Sequence, residues 1–171
     1  MDFLEVVRKR KTVRKYIVGK VISDKDIRKI LDIINLAPSA KNLQSFKVLV
    51  VKSPKKRLEV AKACYNQRSD FVQNASLILV FCSDPGLSID NFGQRGEFYS
   101  LQDATIAASF ALLAITECGY SSCWIGNFKE KELQKVLSSK LHPIAIITVG
   151  YPDENPERKP RKALTELAQY F

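Results

Sequence analysis

The sequence has few of the residues on which self-contained catalytic chemistry depends. It contains one histidine, His142, and four cysteines that form no C-x-x-C pair. A Ser-His-Asp or Cys-His site would have to use His142, and no G-x-S-x-G motif accompanies it. One histidine and scattered cysteines also do not make the spacing of a zinc site. We therefore expect neither a side-chain nucleophile nor a bound metal.

Glycine-rich phosphate loops are missing as well. The chain has only seven glycines, and neither G-x-G-x-x-G nor G-x-x-x-x-G-K-[ST] follows a predicted strand. The acidic pairs Asp24/Asp26 and Glu130/Glu132 stand at predicted helix starts, where capping and the helix dipole account for them. If the protein is an enzyme, a bound cofactor has to supply the chemistry.

Long apolar runs are also absent. No uncharged run is longer than residues 104–116, and that run is shorter than the ~20 residues that cross a bilayer. The first residues include Asp2 and Glu5 instead of an apolar signal-peptide core. The unpatterned cysteines are typical of reduced thiols. We expect a cytoplasmic protein with no membrane partner.

Positive charge is plentiful and concentrated near the N-terminus. Residues 1–62 hold 17 of the 27 Lys and Arg but only 6 of the 18 Asp and Glu. The densest stretch is "RKRKTVRKY", residues 8–16, in which six of nine side chains are basic. Such a surplus attracts anions of any size. A basic nucleic-acid-binding module is therefore one alternative, although its stacking platform would need an exposed aromatic sheet.

Strands and helices alternate along the chain, which indicates an α+β or α/β domain of two or three layers. We expect buried strands at residues 46–52, 76–82 and 143–151. We expect helices that begin after Asp2, Ser23 and Ser53, at about Glu97, and near residue 128. In the first helix, Phe3, Val6 and Val7 are expected to point inward. Residues 83–96 are predicted to form a loop, and the proline-rich segment 152–162 is predicted to be irregular.

The predicted long helix, residues 97–118, is apolar on all sides and ends at Gly119. One core-facing stripe does not require so much apolar surface. The helix therefore either lies through the middle of the fold or packs a second face against another subunit.

Three separated polar clusters are candidates for a binding site. Arg10, Thr12 and Arg14 alternate, so in an extended segment their side chains share one face. A loop carries the hydroxyl and amide groups of Ser39, Asn42 and Gln44. Lys159 and Arg161 alternate in the proline-rich segment.

These clusters, in this order, resemble the FMN-dependent nitroreductase family over nearly the whole chain. "RKRKTVRKY" is similar to the family's R-[RH]-S-x-[RK]-x-[FY] opening, and "APSAKNLQSF" to its A-P-S-x-x-N-x-Q-P-W loop. "CGYSSCWIGNF" is similar to its G-L-G-x-x-W-I-G turn, and "GYPDENPERKPRK" to the strand end with basic residues downstream. Lys11, Thr12 and Ser45-Phe46 depart from the usual residues, but a hydroxyl and an aromatic ring are kept.

The resemblance implies the fold and the assembly. It implies an α+β, three-layer α/β/α sandwich with a mixed, mostly antiparallel central sheet. It also implies a single domain over residues 1–171 and an intertwined homodimer. The long helix would be the dimer core, and residues 160–171 would form an arm that packs on the partner subunit.

The resemblance also implies an FMN site shared between the two subunits. One subunit would hold the phosphate and the pyrimidine edge of the ring through Arg10, Lys11, Thr12, Arg14, Lys159 and Arg161. The other would contribute Pro38, Ser39, Asn42 and Gln44. The turn with Trp124, Ile125 and Gly126 would lie along the ring, with a backbone N–H near Gly126 directed at flavin N5. The role of Asn66 and Gln67 stays open.

The activity implied is ping-pong hydride transfer from NADH or NADPH, through the flavin, to a small-molecule electron acceptor such as a nitroaromatic, quinone or enone. No protein side chain need act as acid or base, so no catalytic residue is assigned. A family member with another flavin reaction, such as deiodination or flavin destruction, or with little turnover, is the alternative. The family likeness does not indicate which acceptor is used.

Overall fold

Capping side chains set the starts of the first three helices in the computed structural model, which describes residues 1–65 and 69–171. Asp2, Ser23 and Ser53 each accept a hydrogen bond from a backbone N–H in the first turn that follows. These helix starts confirm the sequence prediction. The helices are α1 (Phe3–Lys9), α2 (Asp24–Asn35), α3 (Pro54–Ala63), α4 (Ser69–Asn74), α5 (Gly86–Phe92), α6 (Arg95–Glu117), α7 (Glu130–Leu137) and α8 (Leu164–Leu167).

One antiparallel sheet forms the centre of the described chain. Its strands are β1 (Phe46–Val51), β2 (Leu77–Ser83), β3 (Ser121–Ile125) and β4 (His142–Gly150), in the order β1-β2-β4-β3. Three strands were predicted. The prediction missed β3, because its five residues lie between Gly119 and Gly126 and were interpreted as part of a turn. In the described chain, parallel strand pairing is limited to an isolated bridge between Thr12 and Ser122 at the outer edge of β3.

Helices cover both faces of this sheet. All seven residues of β2 are buried, and alternate side chains point into two different cores. One core contains residues of α2 and α6, and the other contains residues of α3, α4 and α7. This arrangement confirms the predicted three layers. It also leaves the described strands without the exposed aromatic face that a base-stacking platform would need.

Helix α6 packs one small-residue face against the sheet and α2. Its buried positions include five alanines between Ala104 and Ala114, which let the neighbouring backbones approach closely. Its second face is more open, with Phe98 47% and Leu101 43% exposed. α6 is also the one helix in the described chain that is long and apolar enough to cross a bilayer, a test that core helices of soluble proteins pass too.

The N-terminal segment is fixed to the outer edge of β3 and to the chain that follows β4. Val13 N donates to Ser122 O at 3.0 Å, and Ile17 N donates to Tyr151 O at 3.0 Å. Buried Tyr16 donates its hydroxyl proton to Val13 O at 2.9 Å, and its hydroxyl oxygen lies 2.7 Å from Thr148 Oγ1. Burial raises the pKa of Tyr16 above its ordinary value, so the phenol stays neutral. These contacts position residues 10–14.

Two local predictions were wrong. Phe3, expected to point inward, is 69% exposed, because Val6 alone on α1 reaches the core. Residues 83–96, expected to be a loop, contain the seven-residue helix α5. α5 packs on α6 and has no capping side chain, so no capping pattern marks its start in the sequence.

Gly96 permits the close contact between α5 and α6. A Cβ at Gly96 would lie 2.4 Å from backbone atoms of Ser88 and Ile89. An alanine favours a helix interior by ~1 kcal/mol over glycine, so propensity alone predicts that Gly96→Ala stabilises. We expect the opposite, a net loss of about 1–3 kcal/mol in the free energy of unfolding, because backbone has to shift.

Urea unfolding followed by circular dichroism measures this change. Gly86→Ala is the matched control, since nothing lies within 4 Å of its added Cβ. An unfolding midpoint of Gly96→Ala equal to or above that of the unchanged protein would contradict the contact.

Candidate functional site

Six of the predicted binding residues line one cavity beside the start of β3. The cavity has a volume of about 340 Å³. It is lined by Arg10, Lys11, Thr12, Arg14, Pro156, Glu157, Arg158, Lys159 and Arg161. The structure thus brings together two segments that lie about 150 residues apart in sequence. We call this the basic cavity.

The basic cavity crowds like charges together. Burial, and then the neighbouring Arg158 and Arg161, lower the pKa of Arg10 from its ordinary value. Cations placed this close repel one another, and an anion between them relieves that repulsion. Arginine forks and a lysine are suited to the oxygens of a phosphate group. Glu157 is the acidic side chain among the lining residues.

Hydrogen bonds hold the two walls of the basic cavity in place. Lys11 Nζ donates to Asn155 Oδ1 at 2.8 Å, and Arg158 donates to Val7 O at 2.8 Å. The backbone N–H of Arg14 donates to the carboxylate of Glu154. The site therefore rests on main-chain and side-chain contacts outside the cavity as well as on its own lining.

Other basic residues of the "RKRKTVRKY" stretch are neutralised at the surface. Lys9 forms a salt bridge with Glu5 at 2.7 Å, and Lys15 forms one with Asp153 at 2.7 Å. Neither lysine lines the basic cavity. Within this stretch, three basic residues line the basic cavity and two are paired with carboxylates at the surface.

A second cavity lies beside the other end of β3. Its volume is about 380 Å³, and its lining includes the predicted residues Trp124, Ile125 and Gly126. Arg14 lines both cavities. The five residues of β3 span roughly 13 Å at ~3.3 Å per residue, so the two cavities can serve opposite ends of one elongated ligand. We call the second cavity the ring cavity.

Gly126 leaves the wall of the ring cavity open. A Cβ at this position would meet only Trp124 Nε1, at 3.6 Å, so a side chain would project into free space. Gly126 also lines a third cavity of about 580 Å³, which extends to Glu97 and Leu101 of α6. A planar group could therefore approach the backbone here. The expected N–H contact to flavin N5 stays a prediction.

The third predicted cluster, Pro38, Ser39, Asn42 and Gln44, lines neither the basic nor the ring cavity. Its loop is held on α6, where Ala40 N donates to Asp103 Oδ1 at 3.0 Å. Lys41, Asn42 and Gln44 have φ values of 49°, 57° and 49°. Left-handed residues other than glycine carry strain and concentrate at binding sites. That this loop completes the site of another subunit stays a prediction.

Several lining residues were not predicted. Arg158 precedes Lys159 in the proline-rich segment, and its charge alone could have suggested it. Tyr65, Phe71 and Asn127 line the ring cavity, and no sequence pattern distinguishes them from core or loop residues. Asn66 and Gln67 lie outside the described residues.

The residues present suit a flavin mononucleotide. The basic cavity offers fixed cations for a phosphate, and the ring cavity offers Trp124, Phe71 and an open backbone at Gly126. Arg14 lies between the two. A ligand with one anionic end and one planar end matches this pair of cavities.

The comparisons with known proteins all indicate the same family. The family model described as the nitroreductase family matches residues 7–70 and 65–151. The structure is similar to that of a nitroreductase family protein from Clostridium novyi NT, with a TM-score of 0.82 and 34% identity over 93% of this chain and 89% of that one.

Two further proteins are similar along almost their whole length. An FMN-dependent nitroreductase from Clostridium difficile R20291 has a TM-score of 0.81 and 26% identity, with 99% of this chain and 98% of that chain covered. An iodotyrosine deiodinase from Thermotoga neapolitana is 26% identical over 172 residues, which is 92% of each chain.

The reactivity of the Cys64 thiol, which lines the ring cavity, tests how far this part of the cavity wall is buried from solvent. Burial raises the pKa of Cys64 to about 11. Because only the thiolate reacts, we expect its alkylation rate to rise about tenfold per pH unit from pH 7.5 to 9.5 without levelling off. Mass spectrometry of iodoacetamide-treated protein measures this rate. A cysteine in a short peptide is the control, and a plateau for Cys64 near pH 8.5 would contradict the burial.

Proposed function

Because the chain belongs to the nitroreductase family, we propose that it is an FMN-dependent oxidoreductase that uses NADH or NADPH. Its proposed acceptor is a small nitroaromatic, quinone or enone. The observation that carries the proposal is the pair of cavities at opposite ends of β3, joined by Arg14. When bound, FMN supplies the redox centre, which takes a hydride from the nicotinamide and delivers it to the acceptor in a ping-pong cycle.

The basic cavity binds the phosphate end of the cofactor in this proposal. Arg10, Arg14 and Arg161 supply planar forks of N–H donors, and the hydroxyl of Thr12 supplies another donor. Lys11 and Lys159 add charge. Two hydrogen bonds, from Lys11 to Asn155 and from Arg158 to Val7, fix the cavity walls before the ligand binds. Fewer side chains then have to be ordered on binding, so the entropic cost of binding is smaller.

The ring cavity orients the cofactor and limits access of water. Trp124 and Ile125 lie at the end of β3, where the strand's hydrogen bonds to β4 fix them, and Gly126 leaves room for close backbone approach. None of these residues gains or loses a proton in the proposed cycle. We therefore assign binding and orientation to this chain and no catalytic acid, base or nucleophile.

We propose that the protein works as a homodimer in which each flavin contacts both subunits. The open face of α6, with Phe98 and Leu101, is the proposed dimer core. In the single chain Leu164, Leu167, Tyr170 and Phe171 are exposed. Apolar side chains in a row at a chain end favour an arm that packs on a partner. The loop with Pro38, Ser39, Asn42 and Gln44 then reaches the partner's cofactor.

We also propose that the protein is cytoplasmic. Cys64, Cys82 and Cys118 are free thiols in the described chain. Unbridged cysteines are usual in reducing compartments.

A different flavin reaction is the second candidate. The similarity to an iodotyrosine deiodinase over 92% of both chains favours it. Such a reaction would use the same cofactor site and a different acceptor. Release of iodide from iodotyrosine by the reduced protein, measured beside reduction of a nitroaromatic and a quinone, distinguishes the two.

Removal of one arginine from the basic cavity tests the cofactor assignment. The purified protein should be yellow, with flavin absorbance near ~450 nm that NADH or NADPH bleaches without oxygen. Arg10→Ala or Arg161→Ala each removes a charge-assisted hydrogen bond of ~1.5–3 kcal/mol, so the Kd for FMN should rise roughly 10- to 150-fold.

Lys9→Ala is the matched control, because Lys9 belongs to the same basic stretch but is paired with Glu5. Isothermal titration of FMN into apoprotein gives the Kd of the unchanged protein and of the three variants. A colourless protein that does not take up FMN, or an equal loss in Lys9→Ala, would refute the assignment.

Shortening the C-terminal arm tests the dimer. A chain that ends at Lys162 keeps Arg161 but loses the four exposed apolar residues of the arm. We expect the dissociation constant of the dimer to rise at least tenfold, because each large side chain buried at the interface stabilises the dimer by ~1.5–3 kcal/mol. Analytical ultracentrifugation from nanomolar to micromolar concentration measures the change. A full-length protein that is monomeric at micromolar concentration would contradict the dimer.

A further inference from the structure

A further cavity lies where the turn at residues 18–20 meets the start of α3 and the end of α4. Its volume is about 400 Å³, and it shares no lining residue with the basic cavity or the ring cavity. Three of its described lining residues are cations, Lys20, Lys55 and Arg57, and none is acidic. We call it the lateral cavity.

Arg57 is held in the wall of the lateral cavity by main-chain carbonyl groups. Its Nε donates to Gln73 O at 3.4 Å, and its Nη1 donates to Ser76 O at 3.3 Å and to Lys52 O. A guanidinium has five N–H groups, and these three bonds use the one on Nε and both on Nη1. The side chain is therefore fixed in position, while the two N–H groups of Nη2 have no partner in the described chain.

The positive charge of Arg57 has no counter-ion in the part of the chain that the structure describes. Arg57 forms no salt bridge there, and its three carbonyl partners are neutral. Burial lowers the pKa of Arg57 from its ordinary value. A half-buried charge without an opposite charge is costly, so an anion bound beside it would stabilise the fold.

Two lysines add positive charge to the same cavity. Lys20 and Lys55 are exposed, and neither forms a salt bridge among the described residues. The first turn of α3 contains Lys55 and Lys56 but no acidic residue, which is the reverse of the charge that a helix N-terminus favours. A bound anion would offset this repulsion as well.

The rest of the lining leaves room for an organic group beside the anion. Val18 and Leu58 are exposed and supply apolar surface. The amides of Gln73 and Asn74 can both donate and accept hydrogen bonds. The lateral cavity thus suits a free anion as well as the anionic part of a larger molecule.

We propose that the lateral cavity binds a phosphate group, either as inorganic phosphate or as part of a nucleotide. Arg57 offers the two N–H groups of Nη2 to phosphate oxygens, and Lys20 and Lys55 supply point charges on flexible stems. This site is separate from the basic cavity, and it does not depend on the proposed function.

Equilibrium dialysis of the FMN-loaded protein tests the site, because bound FMN fills the basic cavity. The probes are inorganic phosphate and 2′-phospho-ADP-ribose, the part of NADPH that lacks the nicotinamide ring. NADPH is the nucleotide represented because α4 lines both the ring cavity and the lateral cavity. We expect one phosphate per chain in addition to FMN.

Three variants change the charge or the shape of the site. Lys20→Gln and Lys55→Gln should each raise the Kd for phosphate roughly threefold, and the double variant roughly tenfold, because the two lysines act independently. Arg57→Lys keeps the charge but loses the planar fork, and it should raise the Kd about tenfold. If Arg57→Lys does not fold, the two exposed lysines still test the site.

Lys25→Gln is the matched control, since it removes an exposed cation from α2 that does not line the lateral cavity. A rise in Kd that includes 2′-phospho-ADP-ribose supports a nucleotide, and a rise for phosphate alone supports inorganic phosphate. The comparison among variants holds with or without bound FMN, because none of the three residues lines the basic cavity. No phosphate bound beyond FMN, an unchanged Kd in every variant, or an equal rise in Lys25→Gln would overturn the site.

Discussion

The backbone hydrogen bond from Val13 to Ser122, at the outer edge of β3, is the contact on which the rest of the site depends. It fixes the N-terminal segment beside β3, and the bond from Ile17 to Tyr151 fixes the same segment beside the chain that leaves β4. Residues 10–14 and 156–161 consequently face each other across one cavity. Strand β3 then carries the chain from that cavity to Gly126, so a single short strand sets the distance between the anionic and planar ends of the site.

Two features of the described chain fit the proposed dimer. The basic cavity concentrates cations, and burial, followed by the nearby Arg158 and Arg161, lowers the pKa of Arg10 there. On α6, buried Asp103 accepts from Ala40 N through Oδ1, while its Oδ2 has no hydrogen-bond partner in the described chain. The loop it supports includes three left-handed residues. In the proposed dimer, a phosphate would stabilise the cations of the basic cavity, and the strained loop would contact the flavin of the partner subunit.

Much of this architecture is encoded locally, and some of it is not. The helix caps at Asp2, Ser23 and Ser53 could be predicted from the sequence, because a capping side chain acts within one turn. The basic cavity could be predicted only through a family likeness, since its two walls are far apart in the chain. Strand β3 and helix α5 were not predicted. Each is short and stabilised by tertiary packing, which periodicity over a few residues does not reveal.

The central claim, that one flavin is held by two subunits, is tested most directly in a mixed dimer. One subunit carries Arg10→Ala and Arg161→Ala, and the other carries Ser39→Ala and Asn42→Ala, with different affinity tags for isolation. If the phosphate residues and the loop serve the same flavin from opposite subunits, one site inherits all four changes and the other none. The account predicts one FMN per dimer bound with unchanged affinity. A mixed dimer with no site of unchanged affinity would contradict it.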